Sequence, residues 1–387
     1  MIELLEQCVR IPSLSRQEAQ VAAFLRDEMK QRGFDRAFID DAGNAVGIIG
    51  NGPKQIVMLG HMDTVGGDVP VRYEDGNLYG RGSVDAKGPL CAFILAAQHF
   101  VDASRITHHA SNVKRVASNN DWQLIVIGAT EEEAASSKGA RFAATQYAPA
   151  FCIIGEPSGM DGITLGYKGR LLAHARFEQA MQHTAMPGPS VSEQAVALWN
   201  HVKKLSDEFN AGKPKTFDQI MPSLRHIQSG SDGLKEWCDL TIAARLPEDF
   251  GPERLEQEIS DWRVEIADLG LRIADGTSSI HNPQSQIRNQ PTLSYSGAEH
   301  AYRSSKDSPL AWAFVDGIRT EKMRPAFKLK TGTADFNVVG PVWNCPIVAY
   351  GPGDSSLDHT PIEHVSIDEF EKAVKVLTHV LTTLMKQ

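Results

Sequence analysis

The chain has 387 residues, 42% of them hydrophobic and 22% charged, with a formal net charge of −9 at pH 7. A common domain holds roughly 150 residues, so this length predicts two or three. The acidic balance, with no basic run or aromatic RNA motif, excludes a general nucleic-acid surface, and no window approaches the ~18 unbroken apolar residues of a membrane span.

Apolar residues at helical spacing predict a helix over 2–9 that resumes over 15–32 and stops at Gly33. Glutamates at Glu3 and Glu6 are unlike the basic start and apolar core of a signal peptide, and Cys8, Cys91, Cys152, Cys238 and Cys345 form no CxxC pair. Both features suit a reducing cytoplasm. Strands are predicted over 45–49 and 55–59, the second short, apolar and ended by glycine, as buried parallel strands are. Residues 87–100 are apolar nearly all round and predict a helix inside the core. The polar stretch 104–121, with His108, His109, Lys114 and Arg115, reads as an exposed insertion. Apolar strands follow over 122–128 and 151–155, with helical sequence between them. This alternation predicts an α/β fold: a mainly parallel sheet with right-handed crossovers and helices on both faces.

After about Tyr167 the pattern changes. Strand 170–177, helix 191–209, strands near Leu224 and over 237–246, helix 252–262 and strand 292–295 make a β-α-β-β-α-β layer. Residues 263–290 fit neither period and are left unassigned. Helix 309–319, strand 346–350 and the amphipathic helix 367–384 then resume the first pattern. The expected organisation is an α/β domain split between 1–167 and 302–387, with an α+β, ferredoxin-like domain inserted over 168–301.

Four of the buried strands lead into metal-donor groups. The first precedes His61-Met62-Asp63-Thr64-Val65, the second Thr130-Glu131-Glu132-Glu133, the third Glu156-Pro157 and the last Asp358-His359. A further aspartate, Asp85, stands just before the buried helix. Ligands of open α/β sheets bind at the carboxyl ends of strands, so these groups converge. Alone, the glutamate run would read as a helix N-terminus offsetting the dipole. Beside His61, Asp85, Glu156 and His359 it reads as ligand plus base. Two histidines and three carboxylates exceed what one catalytic zinc needs and suit two metals sharing a carboxylate, with a further glutamate as general base. Asp63 is placed to hydrogen-bond the second ring nitrogen of His61. The chemistry this favours is hydrolysis of an amide.

These segments, with Gly82-Ser83-Val84-Asp85-Ala86-Lys87-Gly88, Gly155-Glu156-Pro157 and His359-Thr360-Pro361-Ile362-Glu363, resemble the co-catalytic dinuclear zinc aminoacylase and carboxypeptidase family, in order along essentially the whole chain. The resemblance implies two zinc ions per subunit, which cobalt can replace. Asp85 would bridge them, with His61 and Glu156 on one, Glu133 and His359 on the other, Glu132 as base and Asp63 orienting His61. It also implies a cis peptide between Asp85 and Ala86. The glutamate register follows from the spacing to Lys138-Gly139-Ala140. The inserted domain would be the family's lid and dimerisation domain, and Gln182-His183-Thr184-Ala185-Met186-Pro187 looks like the stretch whose histidine, His183, stabilises the oxyanion in a neighbouring subunit of a homodimer. Gln179-Ala180-Met181-Gln182 departs from the family's usual Gly-Arg-x-Ala at this point.

Within the family, the segments 129–141, 166–170, 302–310 and 330–337 look closest to the hydrolases that release lysine or ornithine from the γ-carboxyl of an amino-group carrier protein's C-terminal glutamate, in lysine or arginine biosynthesis. Lys168, Arg170, Arg303 and Lys330 are then candidates to neutralise carboxylates of substrate or carrier, and Asp335 to meet an ammonium or cap a turn. A small-molecule deacylase of the acetylornithine type, or a dipeptidase, is the alternative within the family. A metal-bound, non-catalytic interaction module is the alternative of another class, against which the candidate base argues. No G-x-S-x-G elbow supports a serine hydrolase.

Overall fold

A computed structural model describes residues 1–106, 121–181, 183, 189–262 and 291–386. The backbone forms two compact units, one of Met1–Tyr167, Tyr302–Lys330 and Ala334–Gln387, the other of Lys168–Ala301 with Thr331–Thr333. The first unit begins with α1 (Ile2–Val9), α2 (Ala19–Gln31), β1 (Arg36–Ile39), β2 (Ala45–Gly50), β3 (Lys54–His61), β4 (Arg72–Glu74) and β5 (Asn77–Tyr79). It continues with α3 (Lys87–Ile106), β6 (Trp122–Ala129), α4 (Lys138–Gln146), β7 (Phe151–Gly155) and β8 (Gly162–Tyr167). The second unit holds β9 (Gly169–Ala180), α5 (Val191–Asn210), β10 (Met221–Ser231), β11 (Lys235–Leu246), α6 over 252–262 and β12 (Thr292–Glu299). The first resumes as β13 (Tyr302–Arg303), α7 (Pro309–Thr320), β14 (Ala326–Lys330), α8 (Asp335–Trp343), β15 (Ile347–Ala349), β16 (His364–Ser366) and α9 (Ile367–Leu384).

The large sheet of the first unit runs β1-β2-β6-β3-β7-β15-β8-β13, with β14 on β8. Its centre, β6-β3-β7-β15, is parallel, and antiparallel strands lie at the edges. Side chains alternate across it. Ile56, Met58, Leu124 and Val126 face the core made with α1, α2, α3, α7 and α9, whereas Val57, Leu59, Ile125 and Ile127 face α4 and α8. Burial on both faces explains the unbroken apolar runs of β3, β6 and β7. The second unit is a four-stranded antiparallel sheet in the order β10-β11-β9-β12, the ferredoxin-like arrangement. Leu171, Ala173, Ala175 and Phe177 of β9 and Cys238, Leu240 and Ile242 of β11 form its core with Leu198 and Val202 of α5 and Leu255 and Ile259 of α6. A capping box between Ser190 and Glu193 starts α5.

Several boundaries differ from the sequence expectation. The second helix begins at Ala19, not at residue 15, because Arg16 takes a left-handed backbone (φ 72°) inside a loop. Helix α3 runs on to Ile106, and the rest of the expected insertion, 107–120 with its histidine pair, lies outside the described residues, as does the unassigned 263–290. Strands β1, β4, β5, β8, β13, β14 and β16 and helix α8 were not expected. All five cysteines are free thiols, and four are buried. No described helix is long and apolar enough to cross a membrane.

One row of glycines governs how α3 meets the sheet. Gly60, Gly128 and Gly155 stand side by side in β3, β6 and β7, one residue short of the strand ends or just within them. A Cβ on Gly155 would come within 2.9 Å of the Phe93 ring and 3.0 Å of Gly60 Cα, and one on Gly60 or Gly128 would press on Leu90. The missing side chains let the start of α3, and Asp85 before it, sit close to the strand ends. Overpacking a core typically costs about 1–3 kcal/mol, so Gly155→Ala should lose stability of that order and lower the thermal midpoint of unfolding. Gly66→Ala, where nothing lies within 4 Å of the new Cβ, should leave it unchanged.

Candidate metal centre

The sheet register brings the expected donors to one edge. His61 is the last residue of β3 and lies opposite Ala129, the last of β6. Gly60 lies opposite Gly155, the last of β7, so Glu156 follows at the same level. Asp85 arrives from the loop before α3, across a cis peptide to Ala86. His359 arrives from the loop after β15, held in a left-handed backbone with φ 61°.

Asp85 is the meeting point. Its Oδ1 lies 3.1 Å from Nε2 of His61 and its Oδ2 3.0 Å from Nε2 of His359. Nε2 of His359 also lies 2.8 Å from Oε1 of Glu133. Around His61 Nε2 stand Glu156 Oε1 at 3.9 Å and Glu132 Oε2 at 4.0 Å. Donor atoms of His61, Asp85 and Glu133 fall within 4.8 Å of one another, close enough to hold a metal ion. The three successive glutamates diverge: Glu131, itself left-handed at φ 57°, turns its carboxylate to the Ser136 hydroxyl (2.6 Å) and towards Arg16 (3.6 Å).

Asp63 fixes this geometry from beneath. Wholly buried, it accepts from the backbone N–H of Glu132 and of Glu133, each at 3.1 Å, and from the Ser15 hydroxyl at 2.7 Å. Nδ1 of His61 faces the Asp63 carbonyl at 3.0 Å and its carboxylate at 3.4 Å. A carbonyl oxygen only accepts, so Nδ1 carries a proton and Nε2 is the atom presented to Asp85.

The electrostatics are those of a crowded anionic cluster. Burial, reinforced by Asp85, pushes Glu156 up to about 7. Burial likewise raises Glu132 well above the ordinary range; His61 opposes this, and Glu156, Asp335 and Glu133 add to it. Although burial works against it, hydrogen bonds from His359 and His61 hold Asp85 well below the usual carboxylate range. His359 is pushed up to about 10 by its hydrogen bonds with Asp85 and Glu133. Burial alone would keep His61 neutral, yet hydrogen bonds with Asp63 and Asp85 raise it well above its ordinary value. Protons on two imidazoles thus offset carboxylates that a cation could offset instead. Oxygen and imidazole donors without thiolate suit zinc or cobalt, so the donor set fits the expected metals.

Of the other expected residues, Asp335 and Lys330 lie near enough to act on Glu132 and Glu156, and the rest fall elsewhere. Lys168 is wholly buried in the second unit, where its ammonium donates to the carbonyls of Thr216, Phe217 and Gln219; it supports a turn and is not a surface charge. Arg170 donates to the Gly297 carbonyl, and Lys330 to that of Pro157. Arg303 is exposed on β13, and Asp335 is the buried first residue of α8. His183 is an exposed residue of the second unit, and its neighbours 182 and 184–188 lie outside the described residues.

Sequence reasoning missed the polar supports. Besides Ser15, the Ser13 hydroxyl donates to the Met62 carbonyl at 2.7 Å, and Glu18 accepts from the backbone N–H of Glu131 at 3.0 Å. Buried Asn44 accepts from the Thr130 N–H and donates to the Gly139 carbonyl. Lys87, also buried, donates to the carbonyls of Cys8 and Ile11. The one available signal was Pro12-Ser13-Leu14-Ser15, a polar break between two helical runs.

This fold and this cluster define a hydrolase of the metallopeptidase type. The chain belongs to the peptidase family M20/M25/M40, whose pattern matches residues 57–383. It is 45% identical to a LysW-lysine hydrolase of Deinococcus radiodurans, over 99% of this chain and 96% of that one. It is 35% identical to a putative LysW-lysine/LysW-ornithine hydrolase of Thermococcus kodakarensis, over 99% and 92%. Among solved structures it resembles an M20 family metallo-carboxypeptidase of Sulfolobus solfataricus, with a TM-score of 0.73, 16% identity and coverage of 100% and 99%. Human carnosine dipeptidase 1 gives 0.70, 16%, 100% and 97%.

Leaving a buried donor unsatisfied costs about 1–3 kcal/mol. Asp63→Asn, which sets an amide NH2 against converging donors, should therefore destabilise the metal-free protein by at least that much in denaturant titration. Ser15→Ala, which removes one of those donors, should lose about 1 kcal/mol.

Proposed function

We propose that the protein is a metal-dependent amide hydrolase that releases lysine, or ornithine, from the C-terminal glutamate γ-carboxyl of an amino-group carrier protein. The observation that carries the hydrolytic part is Asp85, whose two oxygens each face a different histidine. The carrier-linked substrate is supported by full-length likeness to the Deinococcus radiodurans relative. In this reading His61 and Glu156 would hold one cation and Glu133 and His359 the other, with Asp85 serving both. Two such cations, when bound, supply an acidified water and positive charge for the carbonyl oxygen under attack. Glu132 takes the water's proton and passes it to the leaving amine. Asp63 keeps His61 in the required tautomer.

The active form in this reading is a homodimer in which His183 of one subunit donates to the oxyanion in its partner's site. Its support is the family-like stretch around His183 and an eleven-residue edge strand, β10, that is exposed along most of its length. Such an edge is a template for pairing with another strand, and a two-fold dimer presents each lid reciprocally.

Metal analysis should find two equivalents per chain. Glu132→Gln should keep both while turnover falls about 10²–10⁴-fold, whereas Glu133→Gln should lose metal. A turnover panel of carrier-linked lysine, carrier-linked ornithine, acetylornithine and simple dipeptides tests the substrate, and preference for either small-molecule class would refute the carrier reading. Mixing inactive Glu132→Gln subunits with His183→Ala subunits, themselves slowed roughly 10²–10³-fold, should restore activity in heterodimers. No recovery after proven subunit exchange would leave His183 without that role.

A further inference from the structure

Glu363 is a wholly buried carboxylate four residues after His359 that touches none of the donor atoms. Its Oε1 accepts from the backbone N–H of Gly82 at 2.9 Å, Val84 at 3.0 Å and Asp85 at 3.2 Å. Its Oε2 accepts from Arg81 Nη1 at 2.6 Å. Its own carbonyl accepts from the Gly80 N–H at 3.2 Å, where β5 and β16 pair with His364 opposite Tyr79. Two loops therefore leave one strand pair together, one ending at Asp85 and the other beginning at His359. A single carboxylate gathers the first loop's amides into an anion-binding nest while its backbone belongs to the second.

We infer that Glu363, with Arg81, is a positioning residue that sets Asp85 against His359 and so fixes the affinity of the cation His359 helps to hold. The inference rests on the two-cation reading above. His61 approaches Asp85 from β3, which Glu363 does not touch, so the two sites should respond unequally. Outer supports of metal ligands typically govern about 10–100-fold in affinity.

The test is zinc titration of the metal-free, full-length protein by calorimetry, with metal analysis of the filtered product. Wild type should take up two equivalents. Glu363→Gln preserves shape but puts an amide NH2 against either the nest or Arg81, so it should keep one equivalent and bind the other about 10–100-fold more weakly. Its turnover should fall at low zinc and recover in excess zinc, with KM unchanged. Equal weakening of both equivalents, or no change in either, would overturn the inference. If Glu363→Gln fails to fold by circular dichroism, Arg81→Met, which leaves the nest and strips Oε2 of its partner, must weaken the same single equivalent or the inference falls. A wild type that binds only one equivalent would overturn the two-cation reading instead.

Discussion

The site depends on one buried anion, Asp63. Its carboxylate collects the Ser15 hydroxyl and the amides of Glu132 and Glu133, while its residue as a whole faces the inner nitrogen of His61. Three segments distant in sequence are thereby tied: the loop between α1 and α2, the end of β3 and the loop after β6. A charge taken out of water is tolerated only when its lone pairs are met, and here two of the three donors that meet them are backbone groups of the glutamate loop itself. The same bonds that make the buried carboxylate tolerable orient the glutamates above it.

Above Asp63 the balance reverses. Glu132, Glu133, Glu156 and Asp85 crowd two imidazoles, and mutual repulsion and burial raise Glu132 and Glu156. Such a cluster is held in place by what lies beneath it, since its own members repel one another. That explains the density of supports around it: Ser13 on Met62, Glu18 on Glu131, Asn44 on Thr130, Lys87 on the end of α1. Rigidity of this kind lowers the reorganisation needed when charge develops in a reacting amide.

The central strands were legible because β3, β6 and β7 are continuous apolar runs, each followed by polar donors. His61, Glu132, Glu133, Glu156 and His359 were legible for the same reason, as groups that follow strands of a parallel sheet, and Asp85 through the buried helix it precedes. Strand β8, with its flanking glycines, and β14, in which lysines alternate with apolar residues, lack that signature. The supports were illegible on other grounds. Ser13, Ser15, Glu18 and Glu363 act through hydrogen bonds to groups far away in sequence, and no local period encodes such bonds. Lys168 misled in the opposite direction: it was a candidate to neutralise a carboxylate of substrate or carrier, yet three carbonyls hold it inside.

The first unit is interrupted by the second, and its parallel sheet lacks β15 until the end of the chain is made. During synthesis the residues 168–301 can complete their own sheet while β7 still shows an unpaired edge and α9 has yet to cover the core around α3 and α7. The contacts that close the larger unit are among the longest in sequence, so they form slowly and late. His359 comes with them. A nascent chain halted before residue 347 therefore presents a sticky strand edge and no second imidazole, a state that chaperones or proteases meet before any substrate does.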